Sequence, residues 1–356
     1  MKHLVLLGGG LAHAEVLRAF AAQPPAGTRI TLVTQHPRRL LPGRVAALVS
    51  GRRTLDDCLV DLGALAARAG AELRTAAAVS VDAKTRMLAL ANGDSAPYDA
   101  LSVDVIERID RDAIPGARGL ALFVQPTETF ARLVADLIAL AQGTSLNVVV
   151  IGGGVRALEL AIALQLRLGE RARVCLVTGG EAPLAAHGDK AAALAAGALR
   201  RHGVTVIEDR CTAVDAAHVQ LAGGARHACD APIMAIDASA PPWLADSGLA
   251  LDAQGAIDTG PMLHSRSHPE VFAARPGAGA TLAHNLRRFL AGGALLPQPV
   301  RRPPPLFVDV GEGRAIVVAA SGSAEGRWVG RWRDWLDRRE ARRLRPPPAA
   351  TSAGGS

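Results

Sequence analysis

A chain of 356 residues, of which 49% are hydrophobic and 21% charged, is long enough for two or three domains and excludes a largely disordered protein. Aromatic residues make up only 3%, so the core must be built from alanine, valine and leucine. The net charge of +7 comes mainly from arginines near the C-terminus; without a zinc spacing or a recognition-helix pattern, it indicates a basic tail and no nucleic-acid partner.

The cysteine pattern and the N-terminus bear on the compartment. The four cysteines are far apart, with no C-x-x-C pair and no metal-ligand spacing, which fits a reducing compartment and predicts no metal site. The first seven residues lead directly into a glycine loop, and no apolar run reaches the ~20 residues of a membrane span. We therefore expect a cytoplasmic protein.

The strongest pattern is an internal repeat. Residues 4–20, LVLLGGGLAHAEVLRAF, recur as VVVIGGGVRALELAIAL at residues 148–164, and each copy combines an apolar strand, three glycines and an amphipathic helix. A second apolar strand follows each copy, at residues 29–35 and 172–181, as in a buried parallel sheet. Two nucleotide-binding units of an α/β fold are predicted.

Shorter elements follow these units. Strand patterns after the second apolar strand of each unit predict a β-meander in both. A helix begins near residue 279, a proline-rich linker follows at 297–305, and a compact region starts at residue 306. Residues 346–356 have the composition of a disordered tail.

Each glycine loop has the features of a phosphate-binding turn. Glycines let a strand turn tightly into a helix and let the backbone approach a pyrophosphate, which the helix N-terminus attracts. The third position of the motif is His13 in the first loop and Ala157 in the second. The predicted cofactor contacts of the two loops are Gly8, Gly9, Gly10, Leu11, Ala12, His13, Gly152, Gly153 and Gly154. The alternative is a pair of tight turns in a fold that has lost its ligand.

An acidic residue near the end of the second strand of such a unit binds the adenosine ribose. The first unit offers Gln35 and His36 instead, which hydrogen-bond without carrying the charge. The second offers Glu181, either as a ribose acceptor that favours the unphosphorylated nicotinamide cofactor or as a solvated loop carboxylate.

Taken together, these residues resemble the two-dinucleotide-binding-domain flavoproteins of the pyridine nucleotide-disulfide oxidoreductase superfamily. More narrowly, they look similar to the type II NADH-dehydrogenase-like branch, including the module fused in some chains to selenide, water dikinase; His13 is similar to a histidine that this branch often has. The motifs run collinearly from residue 2 to about residue 340 and include HLVLLGGGLAHAEVL, TLDDCLVDL, YDALSVDV, VVVIGGGVRALELA, SHPEVFAA and GRWVGRWRDWLDRRE.

The resemblance implies two Rossmann-like domains of three-layer ββα type. These are a discontinuous FAD-binding domain at 1–115 and 240–295 and an NAD(P)-binding domain inserted at 116–239, followed by a C-terminal α+β region at 296–345. It also implies FAD as cofactor and NAD(P)H as substrate, with hydride passing to the flavin and electrons then to a quinone or other acceptor. The cofactors carry this chemistry, so no catalytic side chain is assigned.

Four segments depart from the family's pattern. Residues 106–107 are Ile-Glu where a glycine and a small residue are typical, and residues 235–238 read AIDA in place of an A-T-G-type turn. At 275–276 an Arg-Pro pair replaces a Gly-Asp whose aspartate binds FAD in such proteins, and LPGR at 41–44 replaces an aromatic-glycine turn. We therefore expect the adenine and pyrophosphate end of the FAD site to survive and the flavin-ring end to be altered.

Three further residues are candidate cofactor contacts. Arg275 either binds a phosphate in place of the missing aspartate or is a solvated arginine on a shortened loop. Arg44 lies in the altered turn. Glu159 either lies near a nicotinamide or caps its helix.

The C-terminal segment carries a stripe of tryptophans, Trp328, Trp332 and Trp335, at helical spacing among many arginines. With tryptophans on one face and arginines on the other, such a helix could lie in a membrane interface at the inner face of the cell membrane. The alternative is that the tryptophans pack on the FAD-binding domain and the arginines are solvated.

Two functions follow from these patterns. The first is an FAD-dependent NAD(P)H oxidoreductase, favoured by the collinear motifs and both glycine loops. The second is a degenerate, non-catalytic nucleotide-binding or scaffold protein. It is favoured by the altered segments at 106–107 and 235–238, where the chain crosses between the two domains, and by the missing Gly-Asp.

Overall fold

The computed structural model describes residues 1–104, 109–236, 240–275, 277–299 and 304–344. The departures at 106–107 and 237–238, Pro276 and the tail at 346–356 lie outside the described residues, so the expectations about them stay predictions.

The first unit opens with the repeat's strand and helix, β1 (Lys2–Leu7) and α1 (Leu11–Ala22). The strand is buried from His3 onward because the sheet is covered on both faces. The other elements of this unit are β2 (Thr28–Thr34), β3 (Arg38–Leu40), α2 (Val45–Val49), α3 (Leu55–Cys58), β4 (Leu59–Asp61), α4 (Leu62–Arg68), β5 (Glu72–Thr75), β6 (Ala78–Asp82), β7 (Met87–Leu90), β8 (Ser95–Pro97) and β9 (Ala100–Val103). As predicted, β6, β7 and β8 form an antiparallel meander.

The second unit repeats this plan. Its elements are α5 (Ala117–Leu120), β10 (Leu122–Phe123), α6 (Thr127–Leu140), β11 (Leu146–Ile151), α7 (Val155–Leu168), β12 (Ala172–Val177), α8 (Asp189–Arg201), β13 (Thr205–Ile207), β14 (Cys211–Val214), β15 (His218–Leu221), β16 (Arg226–Ala228) and β17 (Ala231–Met234). The predicted meander is β14, β15 and β16.

The chain then returns to the first sheet and ends in a separate small sheet. The elements are β18 (Val271–Ala273), α9 (Gly279–Leu290), β19 (Leu306–Asp309), β20 (Ala315–Ala319), β21 (Gly322–Gly326) and α10 (Arg327–Leu344). The predicted helix near residue 279 is confirmed as α9.

Two five-stranded parallel sheets organise the molecule. Their strand orders are β18-β9-β1-β2-β5 and β10-β17-β11-β12-β13, so each glycine loop follows the central strand of its sheet. The pairing of β18 with β9 after the whole second unit shows that the second sheet is inserted into the first unit. The predicted α/β class, with two Rossmann-like units and an α+β C-terminal region, is confirmed.

The core joins all three parts of the chain. One cluster combines α2, α6, α7 and the second sheet with Val308 and Ile316 of the C-terminal strands. Another combines α1, α4 and α9 with Leu344 at the end of α10. In a third cluster, Val329 of α10 packs with Ala315 and Val317 of the small sheet, so α10 is held against both the small sheet and the first unit. Burying each such side chain stabilises the fold by about 2 kcal/mol.

Candidate dinucleotide-binding site

The first glycine loop turns β1 into α1 at the carboxyl edge of the first sheet. Gly8 has a φ of 101°, which favours glycine, and a side chain on Gly9 would collide with Leu62 and Thr34. Gly10 is the N-cap of α1 and provides no side-chain cap for the first N–H groups of the helix. The loop therefore has the backbone of an anion-binding turn.

His13, at the third position of the motif, clamps this loop to the sheet. Its ring is fully buried, with Nδ1 2.7 Å from the Gly8 carbonyl oxygen and Nε2 2.8 Å from Ser102 Oγ. Burial lowers the pKa of the ring against the opposing influence of Asp104. The neutral ring then donates from Nδ1 to Gly8 and accepts at Nε2 from Ser102. The side chain of His13 thus positions the loop.

Asp104, which sequence reasoning did not single out, follows β9 and reaches the start of α1. Its carboxylate accepts a hydrogen bond from the backbone N–H of His13 at 3.0 Å, and a Cβ on Gly10 would collide with it. The space that the second glycine leaves for a pyrophosphate therefore holds a carboxylate. This differs from the expected intact pyrophosphate end, because the fold brings together groups 91 residues apart in the chain. The feature of the sequence that could have indicated Asp104 is its position at the end of a strand, within YDALSVDV.

A cleft of about 460 Å³ opens beside the first glycine loop, at the carboxyl ends of β1 and β2. This is the edge at which parallel α/β sheets bind ligands. Its lining includes Gly8, Gly9, Gln35, His36, Arg39, Arg111, Arg118, Thr127 and Trp243. Three arginines, with no acidic residue among the described lining residues, favour an anionic ligand. Trp243 supplies a ring; it lies in PPWL, shortly after the altered segment 235–238, and sequence reasoning did not single it out.

Two buried polar atoms on the cleft wall have no hydrogen-bond partner within the described part of the chain, Arg39 Nε and Thr127 Oγ1. Arg39 is only 7% exposed, and its guanidinium lies 3.7 Å from the Glu128 carboxylate. Because an unpartnered buried donor costs about 1–3 kcal/mol, a ligand that accepts a hydrogen bond from Arg39 would recover that cost.

The structure brings four of the first unit's predicted contacts to the cleft, namely Gly8, Gly9, Gln35 and His36. Gln35 is exposed and His36 half-buried, so both are accessible to a bound molecule. Leu11 and Ala12 lie on the first turn of α1, beyond Gly10.

The second glycine loop, Gly152–Gly154, turns β11 into α7 in the same way. Gly152 has a φ of 151°, and a Cβ there would collide with the Ala235 carbonyl oxygen; Gly153 lies against the Thr178 carbonyl. Gly154 is the N-cap of α7 and again provides no side-chain cap. Glu181 lies in an exposed loop, and its contact with a cofactor ribose stays a prediction.

Glu159 lies in a buried ion cluster between α7 and the C-terminal region. Its Oε1 accepts the backbone N–H of Asp309 at 2.6 Å and lies 3.7 Å from Arg333, which in turn pairs with the Asp309 carboxylate at 2.6 Å. Arg52 also pairs with Asp309. Burial raises the pKa of Glu159 to about 7, although Arg333 opposes the rise. The carboxylate thus does not cap α7, and its described partners lie on β19 and α10.

Arg44 and Arg275 lie outside the described lining of the cleft. Arg44 is buried and donates to the backbone carbonyls of Asp57 and Asp337, the latter at 2.7 Å. Arg275 is exposed and donates to Thr259 Oγ1 at 2.6 Å. Both guanidinium groups therefore hold chain segments together, and their contact with a cofactor stays a prediction.

The C-terminal stripe lies on α10 with its tryptophans exposed. Trp328, Trp332 and Trp335 are 57%, 40% and 51% exposed. Trp332 lies edge-on to Phe307 of the small sheet, and the Arg339 guanidinium of the same helix lies 5.4 Å from the centre of the Trp335 ring. The expected packing of these rings on the first unit is thus not observed. The expectation of solvated arginines is wrong for Arg333, which is buried because it compensates two carboxylates. Among the described helices, none combines the length and the hydrophobicity that crossing a membrane requires.

Two parallel sheets, each with a glycine loop that opens a helix, define a protein with two dinucleotide-binding folds. The chain belongs to the pyridine nucleotide-disulphide oxidoreductase family, whose model matches residues 2–280. This confirms the resemblance that the motifs indicate, and the relatives below support the type II NADH-dehydrogenase-like branch.

Two relatives are similar in sequence. The chain is 25% identical over 280 residues to the demethylphylloquinone reductase NdbB of Synechocystis sp., covering 76% of this chain and 69% of that protein. It is 26% identical over 305 residues to an NADH dehydrogenase-like protein of Mycobacterium tuberculosis, covering 79% and 74%.

Two solved structures share the fold. The sulfide:quinone oxidoreductase of Aquifex aeolicus superimposes with a TM-score of 0.77 at 17% identity, over 98% of this chain and 93% of that one. NDH2 of Plasmodium falciparum in complex with NADH gives a TM-score of 0.79 at 11% identity, over 96% and 97%.

The cofactors of this family are FAD and NAD(P)H, in agreement with those predicted. The open cleft beside Gly8 and Gly9, its arginine-rich wall and the unpartnered Arg39 Nε fit an anionic dinucleotide. The Asp104 carboxylate stands where the backbone would receive the phosphates. The residues therefore fit FAD once the Asp104 side chain moves aside.

Proposed function

We propose that the protein is an FAD-dependent NAD(P)H oxidoreductase that reduces a quinone or other acceptor. The observation that carries the proposal is the cleft, whose lining runs from the first glycine loop to Gln125–Thr127 at the start of the second unit's α6. A dinucleotide held on the first loop would therefore extend toward the unit that carries the second loop. Transfer of hydride between two bound cofactors requires this arrangement.

Each group of residues has a part in this reaction. The backbone of Gly8 and Gly9 admits the dinucleotide, Gln35 and His36 hydrogen-bond its adenosine half, and Arg39 offsets phosphate charge. In the second unit, the loop that ends at Gly154 and the exposed Glu181 would hold NAD(P)H. Bound FAD would supply the redox chemistry: the two electrons and one proton of the hydride from NAD(P)H, together with one proton from solvent, would convert a quinone into a quinol.

The test is the colour of the purified protein after incubation with FAD, followed by anaerobic addition of NADH. We expect a bound-flavin absorbance that NADH bleaches and that a soluble quinone analogue restores. A protein that stays colourless in FAD would refute the proposal.

Gly152→Ala separates the roles of the two loops. The added Cβ would collide with the Ala235 carbonyl at a positive φ, so we expect flavin binding to be retained and bleaching by NADH to be lost. The control is Gly224→Ala, which also has a positive φ but faces open space in an exposed turn. Equal bleaching in both variants would contradict the role given to the second loop.

A second candidate is a non-catalytic nucleotide-binding protein. It is favoured by the carboxylate of Asp104 at the phosphate position and by the engagement of Arg275 with Thr259. This candidate predicts that ADP binds to the cleft while FAD at millimolar concentration does not. Turnover of NADH with a quinone analogue would defeat it.

We also propose that α10 holds the protein at the inner face of the cell membrane, where a lipid-soluble quinone would be reached. The exposed Trp328 and Trp335 favour this, because indole rings partition to membrane interfaces and the neighbouring arginines attract anionic lipid. Co-sedimentation with vesicles that contain anionic lipid should occur for the wild type and fall severalfold for the W328A/W335A double variant. Equal sedimentation of the two proteins would reject membrane contact through these tryptophans.

A further inference from the structure

Asp104 stands at the point where the backbone of the first loop would meet a phosphate. Its carboxylate fills the space that a Cβ on Gly10 would occupy. It also accepts a hydrogen bond from the backbone N–H of His13 on the first turn of α1. Since Gly10 offers no side-chain cap, Asp104 supplies the cap of α1 from another strand.

A carboxylate and a phosphate compete for this position. Both carry negative charge, and both are stabilised by the N–H groups and the positive dipole end of a helix start. The 12-residue helix α1 has one such end, and the Asp104 carboxylate already occupies it. A dinucleotide phosphate can therefore bind there only if the carboxylate leaves.

The cleft wall contains a group suited to the incoming phosphate. Arg39 lies close enough to Asp104 and Glu128 for both carboxylates to favour its charged form, yet burial lowers the pKa of its guanidinium. Its Nε is buried without a described partner. A phosphate at the start of α1 would replace the negative charge of Asp104 and provide an acceptor for the Nε of Arg39, which has none among the described residues.

We infer that Asp104 is an internal competitor that sets the affinity of the first loop for the phosphates of its dinucleotide. The inference rests on the proposed function in one respect, that the first loop is the FAD site. The carboxylate stabilises the ligand-free protein by capping α1 and weakens the binding of FAD by the same contact. Asp104 is accordingly a specificity-determining residue, which selects ligands whose other contacts are strong enough to displace it.

The experiment compares wild type with D104A and D104N by calorimetric titration with ADP, adenosine and FAD. ADP carries the two phosphates without the flavin, and adenosine carries neither. We expect D104A to bind ADP and FAD on the order of tenfold more tightly and adenosine equally well. D104N, which keeps the shape but loses the charge, should give a smaller gain of the same sign.

The matched control is D99N on the same segment. Asp99 accepts the backbone N–H of His3 at the opposite end of the sheet, so the same change of charge there should leave ADP affinity unchanged. Circular dichroism and urea unfolding establish that each variant is folded.

The outcomes separate this inference from the proposed function. Tighter ADP binding by D104A without bleaching of flavin by NADH supports the competitor role and refutes the oxidoreductase. Flavin turnover by the wild type, with no gain in the affinity of D104A for ADP, supports the oxidoreductase and refutes the competitor role. A gain in affinity for adenosine equal to that for ADP, or no detectable binding of ADP or FAD to any variant, overturns the inference.

Discussion

Gly10 and Asp104 form one structural unit at the residue scale. The glycine leaves a space at the start of α1, and the aspartate fills it from the end of β9. The glycine alone does not show which group binds there, because the space left by its missing side chain can admit either a phosphate or a carboxylate.

The substitution G10A tests this contact. The new Cβ should push the Asp104 carboxylate away from the His13 N–H and cost about 1 kcal/mol, the usual value of a helix cap. In the D104A background, no carboxylate is present to be displaced, so G10A should cost clearly less. Urea unfolding of the wild type, both single variants and the double variant measures the difference. Simple additivity of the two costs would show that the two groups are not in contact.

At the element scale, the buried side chain of Arg333 holds α10 in place. Arg333 pairs with Asp309 and donates to the Gly43 carbonyl at 3.0 Å, so one guanidinium joins the helix, the small sheet and the turn before α2. Of the exposed tryptophans of the same helix, Trp332 adds an edge-on ring contact with Phe307 of the small sheet.

We expect R333M to destabilise the protein by about 3 kcal/mol, because it leaves two buried carboxylates with less compensation. The matched change R331M, on the exposed side of the same helix, should alter the free energy of unfolding by less than about 0.5 kcal/mol. Chemical unfolding of both variants is the measurement. If R333M is as stable as R331M, the buried cluster does not hold α10 in place.

At the scale of the whole molecule, the Glu159 cluster links the second unit to the C-terminal region and makes their association depend on pH. The folded state holds the pKa of Glu159 at about 7, above its usual value of 4.5, because the group is buried. Between these two values the folded protein binds more protons than the unfolded chain, so its stability decreases as pH rises through this window.

The variant E159Q should therefore lose less stability than the wild type between pH 5 and pH 8, by about 1–3 kcal/mol. Asp337 and Glu340, whose pKa values burial also raises, are present in both proteins. Unfolding midpoints in urea at three pH values give the comparison, with E170Q on the exposed surface as the matched control. An unchanged pH dependence in E159Q would mean that Glu159 stays ionised throughout.

The sequence by itself determined the two nucleotide-binding units, the meanders and α9, because strand, turn and helix signals within each repeat are local and depend on periodicity and glycine. It also indicated Gly8 and Gly9, which directly follow β1, and Gln35 and His36, which directly follow β2, as residues of one site, and all four line the cleft. Such residues reach a common edge through the strand order of a parallel sheet alone.

Only the tertiary structure decided which charges meet. Asp104 reaches α1 across 91 residues, and Glu159 meets the Asp309 backbone across 150, so no periodicity in either segment indicates the partner. The same holds for Arg333, which is one arginine among many until the fold turns it toward two buried carboxylates. Burial makes an unpaired charge costly, and the pairing that avoids this cost is a property of the packed molecule.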